Sequence, residues 1–176
     1  TATDPACGSG AFPIGMLQKI VFILQQIDPD AKKMYELEIK QVPSEFKRFI
    51  QKEYDNGSFD YLRKLRIIRD CVYGVDIQPI ATEISRLRCF LTLIVEQKID
   101  DTQENRGIQP LPNLDFKFVT ANSLIGLPKI DKSQGSLFDN YEKIDELKNV
   151  RDDYFSATGI DREQLKTEFV MQQKRL

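Results

Sequence analysis

The sequence has 176 residues, of which 41% are hydrophobic and 30% charged, as is typical of a globular protein with a sizeable core. The net charge of −2 and the pI of about 5.3 lack the basic footprint of a free-standing nucleic-acid binder. The absence of histidine excludes histidine-based catalysis and histidine-bearing zinc sites, and no apolar run reaches the roughly 20 residues of a membrane span.

A glycine-rich segment follows the first few residues of the chain. Residues 4–12 read Asp-Pro-Ala-Cys-Gly-Ser-Gly-Ala-Phe, and apolar residues then recur at helical spacing. Pro13 suits the first turn of a helix, which we expect to run to about Gln26. The segment therefore predicts a short first strand, a glycine turn and a helix N-terminus, an arrangement that binds nucleotide-type ligands.

The next block, residues 28–70, is highly charged and is predicted to form helices with short breaks. Asn56-Gly57 predicts a turn between two of them. The block contains a Glu38-Ile39-Lys40 triplet, which is faintly similar to the Glu-x-Lys of metal-dependent nucleases. Such triplets are frequent by chance, and this one lies in a helix-like segment, so we interpret it as a solvated helix face.

Two further strand units are predicted between residues 71 and 128. The first has a strand over residues 71–75 that ends in Asp76, followed by an amphipathic helix from Pro79 to about Gln97. The stripe of that helix consists of Ile80, Ile84, Leu87, Leu91 and Ile94. The second unit has a strand over residues 114–120, with Asn122 and Ser123 at its carboxyl end.

The remaining residues, 129–176, are predicted to form a polar loop over residues 129–136 and two helices. The first helix spans about Asp139 to Phe155, and the second has Asp161 as its N-cap. We expect one partial domain over residues 1–176, made of segments 1–27, 28–70, 71–128 and 129–176.

The glycine segment resembles the first cofactor motif of S-adenosylmethionine-dependent DNA adenine-N6 methyltransferases. The long spacing to the next motif is similar to that of the large type IIG (Eco57I-like) restriction-modification enzymes. The resemblance implies a Rossmann-like α/β methyltransferase fold, with a partial parallel sheet, flanking helices and an inserted helical block. It also implies S-adenosylmethionine as cofactor, DNA as partner, and a cytoplasmic protein.

The resemblance assigns cofactor binding to three strand ends, because ligands of parallel sheets bind at the carboxyl ends of the strands. Backbone N–H groups of the glycine turn would face the carboxylate end of the ligand, with Asp4 near its ammonium group or its sulfonium side. Asp76 would accept hydrogen bonds from two ribose hydroxyls, Ile77 would cover the adenine, and Asn122 would bind the adenine edge. The predicted cofactor-binding residues are Asp4, Ala6, Cys7, Gly8, Gly10, Asp76, Ile77, Asn122 and Ser123.

Other interpretations of these residues are weaker. An NAD-type site would have a third glycine where Pro13 stands, and its acidic residue about 20 residues further on, far before Asp76. Cys7 has no histidine to activate it, so we expect a small packing residue rather than a nucleophile. The resembling family often has Asp in place of Asn122. The three cysteines show no metal-type spacing, so we expect reduced thiols and no metal site.

The sequence lacks the Asn/Asp-Pro-Pro-Tyr/Phe tetrapeptide that holds the target base in the resembling enzymes, since no two prolines are adjacent. We therefore expect a piece of a longer protein, shortened at both ends, that binds cofactor, carries no catalytic residue and does not itself methylate DNA. Most DNA contacts would lie outside this chain, and the two final helices are a possible dimer contact.

Two alternatives stay open at this stage. The same fold could methylate RNA or protein instead of DNA. The chain could also be a non-catalytic binding module whose final helices dock a partner.

Overall fold

The computed structural model describes residues 1–41, 44–102, 104–108, 113–125, 149–151, 153–154, 157 and 159–173. Its elements are β1 (Ala2–Asp4), α1 (Ala11–Ile27), α2 (Lys32–Gln41), α3 (Ser44–Asp55), α4 (Phe59–Asp70), β2 (Val72–Asp76), α5 (Pro79–Ile94), a 3₁₀ turn (Glu104–Gly107), β3 (Phe118–Thr120) and α6 (Gly159–Gln173). The chain divides into two compact units, residues 1–111 with 117–123, and residues 112–116 with 124–176. The division into the four segments 1–27, 28–70, 71–128 and 129–176 remains a prediction.

The first unit is built on a small parallel sheet in the order β1-β2-β3. Asp4 lies opposite Gly74, and Gly74 lies opposite Phe118, so the three carboxyl ends share one edge. This confirms an α/β protein with a small parallel sheet. The helices α1 to α4 connect β1 to β2, and α5 precedes β3 in the chain.

The third strand is shorter than predicted, because only Phe118–Thr120 of the expected run pairs with β2. Residues 114–116 of that run belong to the second unit, where Leu114 is buried. There the amide of Asn113 donates to the carbonyl oxygens of Tyr154 and Ala157, each at 2.6 Å. The apolar residues at the start of the run therefore serve another core.

The predicted helical block between the first two strands is present as α2, α3 and α4. The interpretation of Glu38 as part of a solvated helix face is wrong, because this side chain is buried. Its carboxylate pairs with Arg66 at 3.3 Å and also with Arg69, which anchors α2 to α4. A buried carboxylate that neutralises two guanidinium groups is not available as a nuclease ligand. Within the described ranges, no group of three or more potential ligand side chains could hold a metal ion.

Helix α5 is confirmed but ends at Ile94, three residues before the predicted Gln97. Its buried residues are Thr82, Ser85, Cys89 and Leu93. Most of the large aliphatic side chains that predicted the helix lie on the exposed side, and Leu87 is 53% exposed. The helix thus packs through small residues, which let its backbone lie close to the glycine turn.

The second unit contains a small aromatic cluster. The Phe116 ring lies 4.5 Å from that of Tyr154 and 4.1 Å from that of Phe169, between ring centroids.

Helix α6 begins at Gly159, two residues before the predicted N-cap at Asp161. The predicted loop over residues 129–136 and most of the helix predicted over residues 139–155 lie outside the described residues; residues 149–151 and 153–154 are helical. No helix in the described part of the chain combines the length and apolarity needed to cross a membrane.

Candidate functional site

The three predicted strand ends come together at one edge of the sheet. The N–H of Cys7 donates to the carbonyl oxygen of Val75 at 2.9 Å, and the N–H of Gly8 donates to Oδ2 of Asp76 at 2.8 Å. On the other side of β2, the N–H of Ala121 donates to the Asp76 carbonyl oxygen at 3.0 Å. Asp76 therefore joins the glycine turn to the segment that follows β3.

The turn before α1 depends on glycine at position 10. Its φ angle of 81° lies in the left-handed region, and its N–H closes the turn onto the Cys7 carbonyl oxygen at 2.9 Å. A Cβ atom on Gly10 would lie 2.8 Å from Oγ of Ser85, which is too close for any real contact. The carbonyl oxygen of Gly10 accepts the first hydrogen bond of α1, from Ile14 at 3.0 Å. The sequence thus sets both the shape of the turn and the start of the helix.

The turn also leaves hydrogen-bond donors unused. Within the part of the chain that the structure describes, the N–H groups of Ser9, Ala11 and Phe12 donate to no protein acceptor. They lie at the start of α1, where the helix dipole adds partial positive charge and the first turn carries no acidic residue. A cluster of free donors at a helix N-terminus binds an anionic group such as a carboxylate.

The Asp76 carboxylate lies beside this donor cluster through its bond to Gly8. Its Oδ1 accepts from the N–H of Gln78 at 2.9 Å. These hydrogen bonds, that of Gln78 first and that of Gly8 second, hold the pKa of Asp76 below its usual value. A carboxylate has about four acceptor positions, so about two stay open for hydroxyl groups. The neighbouring Ile77 is 66% exposed and offers an apolar surface.

The other predicted site residues take different positions. Oδ1 of Asp4 accepts the N–H of Ala6 at 3.1 Å, so this carboxylate stabilises its own turn. Cys7 is only 5% exposed, and burial raises the pKa of its thiol. A buried, neutral thiol supports the expected packing role. Asn122 and Ser123 are exposed and follow Ala121 directly.

Sequence reasoning missed two residues of α5 that contact the turn. Oγ of Ser85 donates to the Gly8 carbonyl oxygen at 3.0 Å, and Arg88 donates to the Ser9 carbonyl oxygen at 3.0 Å. The available signal was the helical spacing of the small residues Thr82, Ser85 and Cys89, which is typical of close packing. The more conspicuous aliphatic stripe of the same helix concealed it.

One curated protein is similar to this chain over most of this chain's length. A protein of Methanocaldococcus jannaschii named "Putative type II restriction enzyme and methyltransferase RM.MjaORFECS2P" is 36% identical over 123 residues, which is 70% of this chain. The match spans 8% of the relative's own length. No protein-family model and no solved structure matches the chain. The similarity thus relates this chain to a small part of a restriction-modification methyltransferase, and the activities of the whole relative come to it only as proposals.

Proposed function

We propose that this chain is the cofactor-binding part of a DNA methyltransferase that transfers a methyl group from S-adenosylmethionine to adenine N6 in a restriction-modification system. The observation that carries the proposal is the pairing of free N–H donors at the start of α1 with the Asp76 carboxylate at the same sheet edge. One end of such a site takes an anion and the other takes hydroxyl groups. An amino acid joined to a nucleoside presents both.

The groups available at the strand ends fit this ligand class. The N–H groups of Ser9, Ala11 and Phe12 would bind the carboxylate of the amino-acid end. The open acceptor positions of Asp76 would bind the vicinal ribose hydroxyls, and the exposed side chain of Ile77 would lie against the adenine. Asp4, Ala6, Cys7, Gly8 and Gly10 would form the wall of the glycine turn, while Asn122 and Ser123 would contact the adenine edge.

In this proposal the chain contributes binding and orientation, not acid-base chemistry. S-adenosylmethionine supplies an activated methyl group on a sulfonium, and a correctly held donor gains rate by proximity. The assignment to adenine N6 rests on the first cofactor motif. The sequence has no adjacent prolines to form the base-holding tetrapeptide. Flipping and holding the adenine, and most DNA contacts, are therefore assigned to other parts of the enzyme.

Isothermal titration calorimetry with S-adenosyl-L-homocysteine, the stable demethylated ligand, tests the proposal. We expect the wild-type chain to bind S-adenosyl-L-homocysteine and not to bind NAD. Asp76→Ala should weaken binding roughly tenfold or more, because it removes a charged acceptor of two hydroxyl groups. Asp101→Ala is the matched control, since that carboxylate lies in an exposed loop and pairs with Arg106. A folded wild-type chain that binds no ligand, or that binds NAD equally well, would refute the proposal.

A further inference from the structure

The glycine turn is held by its carbonyl side. Ser85 is fully buried beneath the turn, and its hydroxyl donates to the Gly8 carbonyl oxygen. One helical turn further along α5, Arg88 donates to the Ser9 carbonyl oxygen. The Gly10 carbonyl oxygen is held in turn by the first hydrogen bond of α1. Three successive peptide groups are thus fixed through their oxygen atoms.

A fixed carbonyl oxygen also fixes the N–H on the other side of the same peptide. In a planar trans peptide the C=O and N–H bonds point in opposite directions. The peptide between Gly8 and Ser9 has its oxygen directed at Ser85, so the free N–H of Ser9 is directed away from α5. Gly8 has a φ of 53°, and a glycine beside a peptide group makes it easier for that group to rotate. Among the described residues, two side chains donate to this oxygen, the Ser85 hydroxyl at 3.0 Å and the Cys7 thiol at 3.7 Å, and the thiol is the weaker donor.

We propose that Ser85 is a positioning residue of the cofactor site, and that Arg88 supports it at the next peptide. By bonding the Gly8 carbonyl oxygen, Ser85 keeps the N–H of Ser9 directed at the carboxylate of the ligand. This inference rests on the proposed function for the identity of the ligand. It adds that α5, the helix after β2, sets the anion selectivity of the turn after β1.

The test compares a ligand that has the carboxylate with one that lacks it. S-adenosyl-L-homocysteine carries the amino-acid end, whereas 5′-deoxy-5′-methylthioadenosine keeps only the nucleoside thioether. In calorimetry we expect Ser85→Ala to weaken the affinity for the first ligand about two- to tenfold, the effect of one hydrogen bond. The affinity for the second ligand should not change. An equal loss of affinity for both ligands would overturn the proposal, since that is the result expected if the variant only destabilises the first unit.

Thr82→Val is the matched control on the same helix face. Thr82 is as buried as Ser85, but its hydroxyl contacts that of Thr120 at 2.9 Å and the Pro79 carbonyl oxygen at 2.8 Å, not the turn. This variant should lose stability without changing the ratio of the two affinities. A ratio that shifts as far as in Ser85→Ala would remove the special role of Ser85.

Amide NMR of the unliganded chain separates this inference from the proposed function. In ¹⁵N–¹H spectra the Ser9 amide should move in Ser85→Ala and stay in place in Thr82→Val. If the folded wild-type chain binds neither adenosyl ligand, the proposed function fails, and the Ser9 amide alone decides the positioning role. An unmoved Ser9 amide overturns it.

Discussion

Gly74 lies in the central strand, where the sheet and the glycine turn approach each other most closely. A Cβ atom there would lie 2.7 Å from Cδ1 of Phe118 and 2.9 Å from Sγ of Cys7. Because Phe118 and Cys7 are both buried, neither side chain can move away without disturbing the core. We expect Gly74→Ala to lower the free energy of unfolding by about 1–3 kcal/mol, the usual cost of overpacking. Urea denaturation followed by far-UV circular dichroism measures it.

Gly15 in α1 provides the contrasting substitution. A Cβ atom there would have no neighbour within 4 Å, and the residue lies inside a helix. Gly15→Ala should therefore raise the free energy of unfolding by up to about 1 kcal/mol through helix propensity. A loss of stability in Gly15→Ala would contradict the open space described around Gly15, and an unchanged stability in Gly74→Ala would contradict the close packing described around Gly74.

At the scale of elements, the orientation of α5 is the feature most open to test. Leu93 is 2% exposed, whereas Leu87 on the same helix is 53% exposed. Leu87→Glu should change the melting temperature little, since its carboxylate stays in water. Leu93→Glu should unfold the first unit, because it buries an unpaired charge. Thermal melts of both variants at neutral pH would show reversed effects if the aliphatic stripe faced the core instead.

That residues 79–94 form a helix could be predicted from the sequence, but which face of that helix is buried could not. The spacing of Ile80, Ile84 and Leu87 predicts a helix whichever side is covered, since periodicity records only that one face differs from the other. Which face packs depended on the close approach of Ser85 to Gly10. The burial of Glu38 was hidden for a similar reason, because its arginine partners lie on another helix.

The candidate site likewise has features that could be predicted from the sequence and features that could not. Asp76 and the glycine turn could be predicted, because parallel strands bring their carboxyl ends to one edge. The bond from Ser85 to Gly8 joins residues 77 positions apart, and no local pattern encodes such a pair. Backbone donors such as the Ser9 N–H are also invisible in a sequence, since every residue except proline carries one.

At the scale of the whole molecule, buried neutral acids limit stability at high pH. Burial raises the pKa of Tyr61 to about 12, and burial also raises that of the Cys89 thiol to about 12. In the unfolded chain these groups would titrate near 10 and 8.5. The folded state therefore holds their protons more tightly. The stability that they contribute is fully present below about pH 8.5 and is lost as pH rises toward 12.

At low pH the pKa shift and its effect on stability have the opposite sign. The pKa of Asp76 is lowered in the folded state by the N–H groups of Gln78 and Gly8. The stability from this carboxylate is present above the unfolded pKa of about 4 and is lost as pH falls through the lower folded value. The fold is thus expected to be most stable in a range bounded by a strand-end carboxylate below and by buried hydroxyl and thiol groups above.

Tyr61→Phe tests the alkaline boundary. Tyr61 is only 3% exposed, so its phenolate would have to form in a site shielded from water, and removing the hydroxyl removes that cost. We expect the melting temperature of the wild-type chain to fall between pH 9 and 11 and that of Tyr61→Phe to fall less steeply. Leu62→Ala, a buried neighbour without a titrating group, should lower the melting temperature equally at every pH. If Tyr61→Phe instead follows the wild-type slope, the alkaline loss of stability arises at other groups, with Cys89 the next to substitute.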